Sequence, residues 1–321
     1  MKNIHALRRT PVLAITCGDP AGIGPEIIAR WALERPRRLS HVALLGPESW
    51  LATLYGRCNA QLVAVGDDRY GANPGKPTTA GARVALAAME VAAQGCSDGD
   101  FDVVVTGPVS KEWLARVSPG FVGQTEFFAA RWGGEPTMMF AGGKLRMALA
   151  TWHVPLSAVS RELTPDRLAR AVRRADWLCR AEGIARPRIA VCGINPHAGE
   201  HGLLGPEETR WMNACLRRLR RQMPGVSEAL PGDTVFMRAL KGEFDATVAA
   251  YHDQGLAPLK AVDFDRSVNI TLGLPYVRTS PDHGTAFGIA GQGKADGGSF
   301  AAAIRMAERL ARAQRRLGPP S

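Results

Sequence analysis

No stretch of the 321 residues approaches the roughly 18 to 20 consecutive apolar positions that a membrane helix needs. The opening Met-Lys-Asn-Ile-His-Ala-Leu-Arg-Arg-Thr lacks an apolar core and a cleavage site, which argues against a secreted chain. Cysteine is scarce too: six, far apart, with no Cys-x-x-Cys pair. That spacing excludes a disulfide framework or a zinc knot and predicts buried, reduced thiols. Aromatic residues make up only 7%, and none interleaves with the arginine clusters at 217–221 and 309–316. The net charge of +10 therefore reads as solvated helix faces rather than a nucleic-acid surface, although its field also favours an anionic small substrate. What remains, 45% apolar and 22% charged, suits a globular, cytoplasmic chain long enough for two domains.

Apolar runs alternate with helical stretches. Residues 12–16, 41–45 and 101–106 are short apolar runs closed by turn residues, the pattern of buried parallel strands joined by crossover helices. The clearest helix starts at Thr164, a good N-cap, with Pro165 and Asp166 behind it and Gly183 to close it. Leu168, Val172, Ala175 and Cys179 recur on one side, and Arg167, Arg170, Arg173 and Arg174 are expected largely off that side. Further strands are expected at 189–194 and 246–250, helices at 207–221 and 298–316, and a loop or linker at 67–79. The fold class is α/β with a largely parallel sheet.

His153, His197 and His252 each follow a predicted strand, where open α/β sheets present ligand-binding groups. Three neutral imidazoles with an open position suit a catalytic divalent metal such as zinc. Three unrelated loop histidines would leave the same spacing. His197 and His201 have helical i, i+4 spacing, but Pro196, Gly199 and Gly202 argue against a helix there, and His5 and His41 have no chemical neighbours. Residues 18–26, GDPAGIGPE, join a strand to a helix. They lack the dinucleotide glycine spacing and a Walker lysine, so a tight turn is preferred to an anion cradle. Lys260, Asn269 and Arg278 stand among apolar segments; together they could hold a phosphate or carboxylate, while singly each reads as a surface charge.

Read together, these segments resemble one family, the 4-hydroxythreonine-4-phosphate dehydrogenases of pyridoxal phosphate biosynthesis. The resemblance covers nearly the whole chain in order. It rests on GDPAGIGPE at 18–26, TGPVSK at 106–111, GQTEFF at 123–128, INPHAGE at 194–200, YHDQGLAPLK at 251–260 and VNITLGLPYVRTSPDHGTA at 268–286. It implies a divalent metal, zinc first with magnesium or cobalt as alternatives, on His153, His197 and His252. One of the three would come from a partner subunit, making a homodimer with a shared active site and no nucleic-acid or membrane partner. Lys260, Asn269 and Arg278 would bind the phosphorylated hydroxy acid together with Gln124 and Thr125, and NAD or NADP would meet the loop His283, Gly284, Thr285 and Ala286. The implied fold is similar to isocitrate and isopropylmalate dehydrogenases, with largely parallel sheets and an inter-domain cleft. Residues 1–118 and 268–321 would form a discontinuous cofactor-side domain, and 119–267 a second domain carrying the metal ligands and the dimer interface.

The implied reaction oxidises the secondary hydroxyl of 4-phosphohydroxy-L-threonine to a 2-amino-3-oxo acid phosphate, which then loses carbon dioxide. A metal on the hydroxyl lowers its pKa, and Asp233, Asp253 or Lys260 could serve as general base. Asp253 could equally orient a metal-binding histidine. One departure stands out: Gln124-Thr125 replaces the usual His-Thr, and glutamine can neither carry a positive charge nor shuttle a proton. It slightly favours a paralogue that oxidises a four-carbon phosphorylated sugar acid. The intact segment 269–280 speaks against a relative acting on aromatic dihydrodiol dicarboxylates, and three retained histidines speak against a non-catalytic binding protein.

Overall fold

The computed structural model describes residues 10–263 and 266–320. The opening residues and His5 lie outside the described residues. Among those described, no helix is long and apolar enough to cross a membrane. Residue contacts divide the chain into two units. One runs to Pro136 and resumes over Leu274–Arg316; the other takes Thr137–Gly273 and the closing residues from Leu317.

Strands are numbered along the whole chain. In the first unit β1 (Leu13–Thr16), β2 (Val42–Gly46), β3 (Gln61–Ala64), β4 (Val103–Thr106) and β11 (Val277–Pro281) lie in the order β3-β2-β1-β4-β11, every pairing parallel. β1, β2, β4 and β11 are buried throughout; β1, β2 and β4 accordingly appear in the sequence as short apolar runs, whereas β11 buries the polar Arg278, Thr279 and Ser280. The Thr79–Asp98 helix covers this sheet with an alanine-rich face, and the Gln124–Trp132 helix adds Phe127, Phe128 and Trp132 to the same core. Trp132 Nε1 donates to the Ala93 carbonyl at 3.0 Å. The first cut accordingly falls after Pro136 rather than after residue 118, because these aromatic side chains anchor the Gln124–Trp132 helix in the first core. Residues 67–78 form a loop inside this unit rather than a linker. His41 has a partner that sequence distance conceals, Glu308 of the Gly298–Leu317 helix at 3.3 Å.

In the second unit β5 (Thr137–Ala141), β6 (Met147–Leu149), β7 (Ile189–Cys192), β8 (Val226–Leu230), β9 (Ala246–Ala249) and β10 (Val268–Leu272) take the order β10-β5-β6-β9-β7-β8. The β10–β5 and β5–β6 pairs are antiparallel; β6–β9, β9–β7 and β7–β8 are parallel. The Pro165–Ala181 helix begins as its sequence dictates, the Thr164 hydroxyl accepting from Arg167 N at 3.3 Å. Its one surprise is Arg174. Expected off the apolar side, it is 3% exposed and its guanidinium reaches the Thr137 hydroxyl at the start of β5. A long aliphatic stem can be buried when its polar head finds an acceptor. The chain's last residues return here because Trp177 Nε1 donates to the Gly318 carbonyl at 3.1 Å.

All six cysteines are free, and all but Cys58 are buried. Burial pushes the Cys179 and Cys192 thiols up to about 12, so they stay protonated at neutral pH.

Asp245 ties the start of β9 to the start of β7. Its carboxylate accepts from Arg188 N at 2.8 Å, Nε at 3.0 Å and Nη2 at 2.9 Å, and these bonds hold its carboxyl below the usual range. A carboxylate with a depressed folded-state pKa stabilises the fold above its unfolded pKa of about 3.9, and that contribution is lost as pH falls through the folded value. Asp245→Asn should therefore lower stability by up to about 1 kcal/mol at pH 7, with the difference shrinking as the pH falls below about 3.9 and through the depressed folded-state value. Urea midpoints of both proteins across that range check this; a constant difference at every pH would contradict it.

Candidate active site

The second unit presents its candidate groups where parallel strands end. β7 leads through Gly193 and Ile194 to Asn195 and His197; β9 leads through Ala250 and Tyr251 to His252; β6 leads to His153. The His153 and His252 rings come within 5.9 Å of each other. His197 lines a cleft of 510 Å³ with Asn195, Asp233, Tyr251, Asp253 and Gln254. Among the described residues, no three His, Cys, Asp or Glu side chains converge to share a metal ion.

The donor chemistry nonetheless suits a metal. His252 Nδ1 stands 2.7 Å from Asp253 Oδ1, and His197 Nδ1 stands 3.4 Å from Glu200 Oε2. A carboxylate on one ring nitrogen fixes the tautomer and leaves Nε2 to ligate. Asp233 sits in the first turn of the Gly232–Leu240 helix, exposed in the cleft. Lys260, on the His252–Asp263 helix, is exposed and is not among the residues lining that cleft. Asn269 lies on β10 opposite Phe140 of β5.

Residues 197–201 are the least ordinary backbone in the molecule. His197, Ala198, Gly199, Glu200 and His201 all have positive φ, between 42° and 81°. This is a left-handed turn, so the two histidines are not neighbours on an ordinary helix. Left-handed conformations cost L-residues roughly 1–2 kcal/mol each, and four of these five are not glycine. Gly199 is needed for space as well as φ: a Cβ there would lie 2.7 Å from Glu208 Oε2. Glu208 is buried, with Oε1 accepting from Asn195 N and Oε2 from Asn195 Nδ2, both at 2.9 Å. Glu207 Oε2 also accepts from Asn195 Nδ2, at 2.7 Å, and takes the Ser160 hydroxyl on its other oxygen; these bonds hold its carboxyl below the usual range. The helix expected over 207–221 opens with a π turn, Glu208–Met212, before regular helix over Asn213–Arg220.

Sequence reasoning missed Glu207 and Glu208. The only signal was a pair of adjacent acids after Gly205-Pro206, and an exposed pair would look the same.

The first unit holds the remaining candidates. In residues 18–26 the turn is closed internally: Asp19 Oδ1 accepts from Ala21 N at 3.0 Å, and the Asp19 carbonyl accepts from Gly22 N at 2.9 Å. Burial pushes the Asp19 carboxyl up. Ile23 N donates to the Thr285 carbonyl at 2.9 Å, which ties this turn to the 283–286 loop. Gly22 permits that approach, since a Cβ would come 2.9 Å from the same carbonyl. Ala286 has φ +44°. The buried Nε2 of His283 has no hydrogen-bond partner among the described residues. Arg278, fully buried on β11, donates from Nε at 3.0 Å and Nη2 at 2.8 Å to the Thr106 hydroxyl. Burial pulls its guanidinium down to about 10, so it stays charged at neutral pH. Gln124 Nε2 donates to the Gly107 carbonyl at 3.3 Å, while its Oε1 is buried with no hydrogen-bond partner among the described residues. Thr125 beside it is buried.

Comparison with known proteins matches the chain over most of its length in sequence and in fold. The sequence pattern of the family described as "Pyridoxal phosphate biosynthetic protein PdxA" covers residues 40–307. A 4-hydroxythreonine-4-phosphate dehydrogenase from Thioalkalivibrio sulfidiphilus is 43% identical over 94% of this chain and 98% of its own length. A crystal structure of 4-hydroxythreonine-4-phosphate dehydrogenase from Klebsiella pneumoniae has a TM-score of 0.79 at 34% identity, covering 94% of this chain and 99% of that one. A terephthalate 1,2-cis-dihydrodiol dehydrogenase from Burkholderia xenovorans stands further off, with a TM-score of 0.69 at 27% identity over 94% and 99% of the two chains. Alike over nearly its whole length in sequence and in fold, the chain belongs to the PdxA family of pyridoxal phosphate biosynthetic proteins.

Proposed function

We propose that this chain is a cytoplasmic, metal-dependent dehydrogenase that uses NAD or NADP to oxidise the secondary hydroxyl of 4-phosphohydroxy-L-threonine. The 2-amino-3-oxo acid phosphate so formed would lose carbon dioxide on the way to pyridoxal 5'-phosphate. Relatives of that name at 40–43% identity over nearly the full chain support the substrate and reaction. The single observation that supports the site is the meeting of His197, Asp233 and Asp253 in one cleft.

His153, His197 and His252 would hold a divalent ion, one of them supplied by a second copy of the chain in a homodimer. The 283–286 loop would hold the dinucleotide, His283 Nε2 meeting a polar edge of it. When bound, the ion supplies Lewis acidity and the nicotinamide a two-electron acceptor. The two units follow the isocitrate dehydrogenase-like plan, with the cofactor on the first and the metal ligands and dimer contact on the second.

The chain's own work is binding and proton transfer. Arg278 of the first unit, charged despite its burial, would bind the phosphate. Lys260 and Asn269 of the second unit and Gln124 and Thr125 of the first would take the substrate-binding roles that the family resemblance implies. Asp253 orients His252 through the 2.7 Å contact, which leaves proton transfer to Asp233. Asp233 takes the proton of the hydroxyl as it is oxidised. Loss of carbon dioxide from the resulting β-keto acid leaves an enolate, and protonated Asp233 returns that proton to it.

NADH formation from 4-phosphohydroxy-L-threonine should require added zinc after chelator treatment. Asp233→Asn should lower kcat by about 10²–10⁴-fold with little change in KM. An unchanged kcat would remove Asp233 from the mechanism, and no turnover by folded, metal-bound enzyme would overturn the substrate assignment.

Gln124 supports a second reading, a four-carbon phosphorylated sugar acid as substrate. Its buried Oε1 can only accept, and a substrate hydroxyl would satisfy it. Under that reading the enzyme turns over phosphorylated threonate or erythronate, and Gln124→His shifts the kcat/KM ratio toward 4-phosphohydroxy-L-threonine by about tenfold or more. A ratio unmoved by the substitution would dismiss it.

A further inference from the structure

The His197 imidazole stands on a left-handed turn that no local sequence preference would produce, so something outside the turn must hold it. Glu208 meets that need. Buried at 1% exposure, its carboxylate takes both the backbone N–H and the side-chain N–H of Asn195, two residues before His197. The turn then wraps around it. Cβ atoms built at Gly193 and Gly199 would lie 2.9 Å from Oε1 and 2.7 Å from Oε2, so the carboxylate fills the space that two glycines leave open. Ser160 and Glu207 extend the same network to Asn195 from the other side, through bonds of 2.7 Å each. The π turn that begins at Glu208 sets its side chain at this point of the chain.

We infer that Glu208 is a positioning residue, fixing the left-handed turn and thereby the place of the His197 imidazole in the cleft. It touches neither substrate nor cofactor and acts through Asn195 and the backbone. The inference rests on the proposed role of His197 as a metal ligand. A carboxylate supplies two acceptors for the two Asn195 donors, whereas glutamine supplies one acceptor and one donor. Glu208→Gln thus sets an N–H against an N–H at unchanged volume.

The test is zinc affinity of the folded, chelator-treated protein, read by competition with a chromophoric chelator and accompanied by amide hydrogen exchange at residues 197–201. Glu208→Gln should weaken zinc binding about 10- to 100-fold and speed exchange across the turn. Asn195→Asp, which sets a third carboxylate against Glu207 and Glu208, should do the same and carries the test alone if Glu208→Gln does not fold. A variant that melts earlier yet binds zinc within about twofold of the parent would overturn the inference, since a merely structural role predicts that result. His197→Ala separates the two layers. If it leaves zinc binding unchanged, the metal reading fails and Glu208 positions no ligand, while its hold on the turn remains readable in the exchange rates.

Discussion

The constraint on which this molecule depends is that its strands are buried on both faces. Every residue of β1, β2, β4, β5, β6, β7, β9 and β11 is buried, so these strands have little surface on which to display a reactive group. Apart from Arg278 within β11 and Asn269 within β10, the candidate groups on or beyond the strands stand where a strand stops. In parallel neighbours the carboxyl ends lie on one side, and the loops leaving them meet. Within the second unit β6 and β9 are adjacent and parallel, about 4.8 Å apart by the ordinary strand spacing, and the loops they feed bring the His153 and His252 rings to 5.9 Å. His197 leaves β7, on the far side of β9 from β6, and stands in the cleft with Asp233 and Asp253. The antiparallel β5 runs the other way, and no candidate group follows its end.

The same constraint explains where the backbone departs from ordinary geometry. Among the described residues, every non-glycine position with positive φ lies in one of three loops: His153 after β6, His197, Ala198, Glu200 and His201 after β7, and Ala286 after β11. Each loop must turn a side chain back over the end of its own strand within a few residues, and left-handed φ is how a chain does so. Such conformations persist only where the surroundings over-determine them. Around the β7 loop the surroundings are visible: Asn195 pinned by two carboxylates, one of them buried. A buried carboxylate carries a desolvation cost, and a site that retains one is using its acceptor geometry rather than its contribution to stability.

How much of this the sequence disclosed follows from what each feature depends on. Apolar runs ending in Gly107, Asn195 or Tyr251 depend on nearest neighbours, and they announced the strands and the loops that carry the candidate histidines. The Thr164 cap is equally local and sits where it was expected. Periodicity places Arg174 off the apolar side because it counts the charge and not the stem, and its acceptor, Thr137, belongs to another element. The division after Pro136 was hidden in the same way: it rests on Phe127, Phe128 and Trp132 docking on a helix some forty residues upstream. Glu208 was the least legible of all. Its burial is fixed by two glycines and an asparagine, each of which reads locally as an ordinary loop residue.

Gln124 shows how a departure from a family pattern should be weighed. Its amide cannot be reversed without facing the Gly107 carbonyl with another oxygen, so Nε2 is committed and Oε1 is the end left for a ligand. The residue therefore offers acceptance only, at any pH. In the proposed reading the charge for an anionic substrate lies elsewhere, on Arg278, whose pKa burial lowers to about 10, so that it stays charged at neutral pH. Replacing a titratable ring by this amide leaves that fixed positive charge untouched and changes one hydrogen-bond position. In the proposed reading the phosphate requirement and the substituent preference are thus physically separate, and a family member can exchange one substituent for another while its demand for a phosphorylated substrate stays intact.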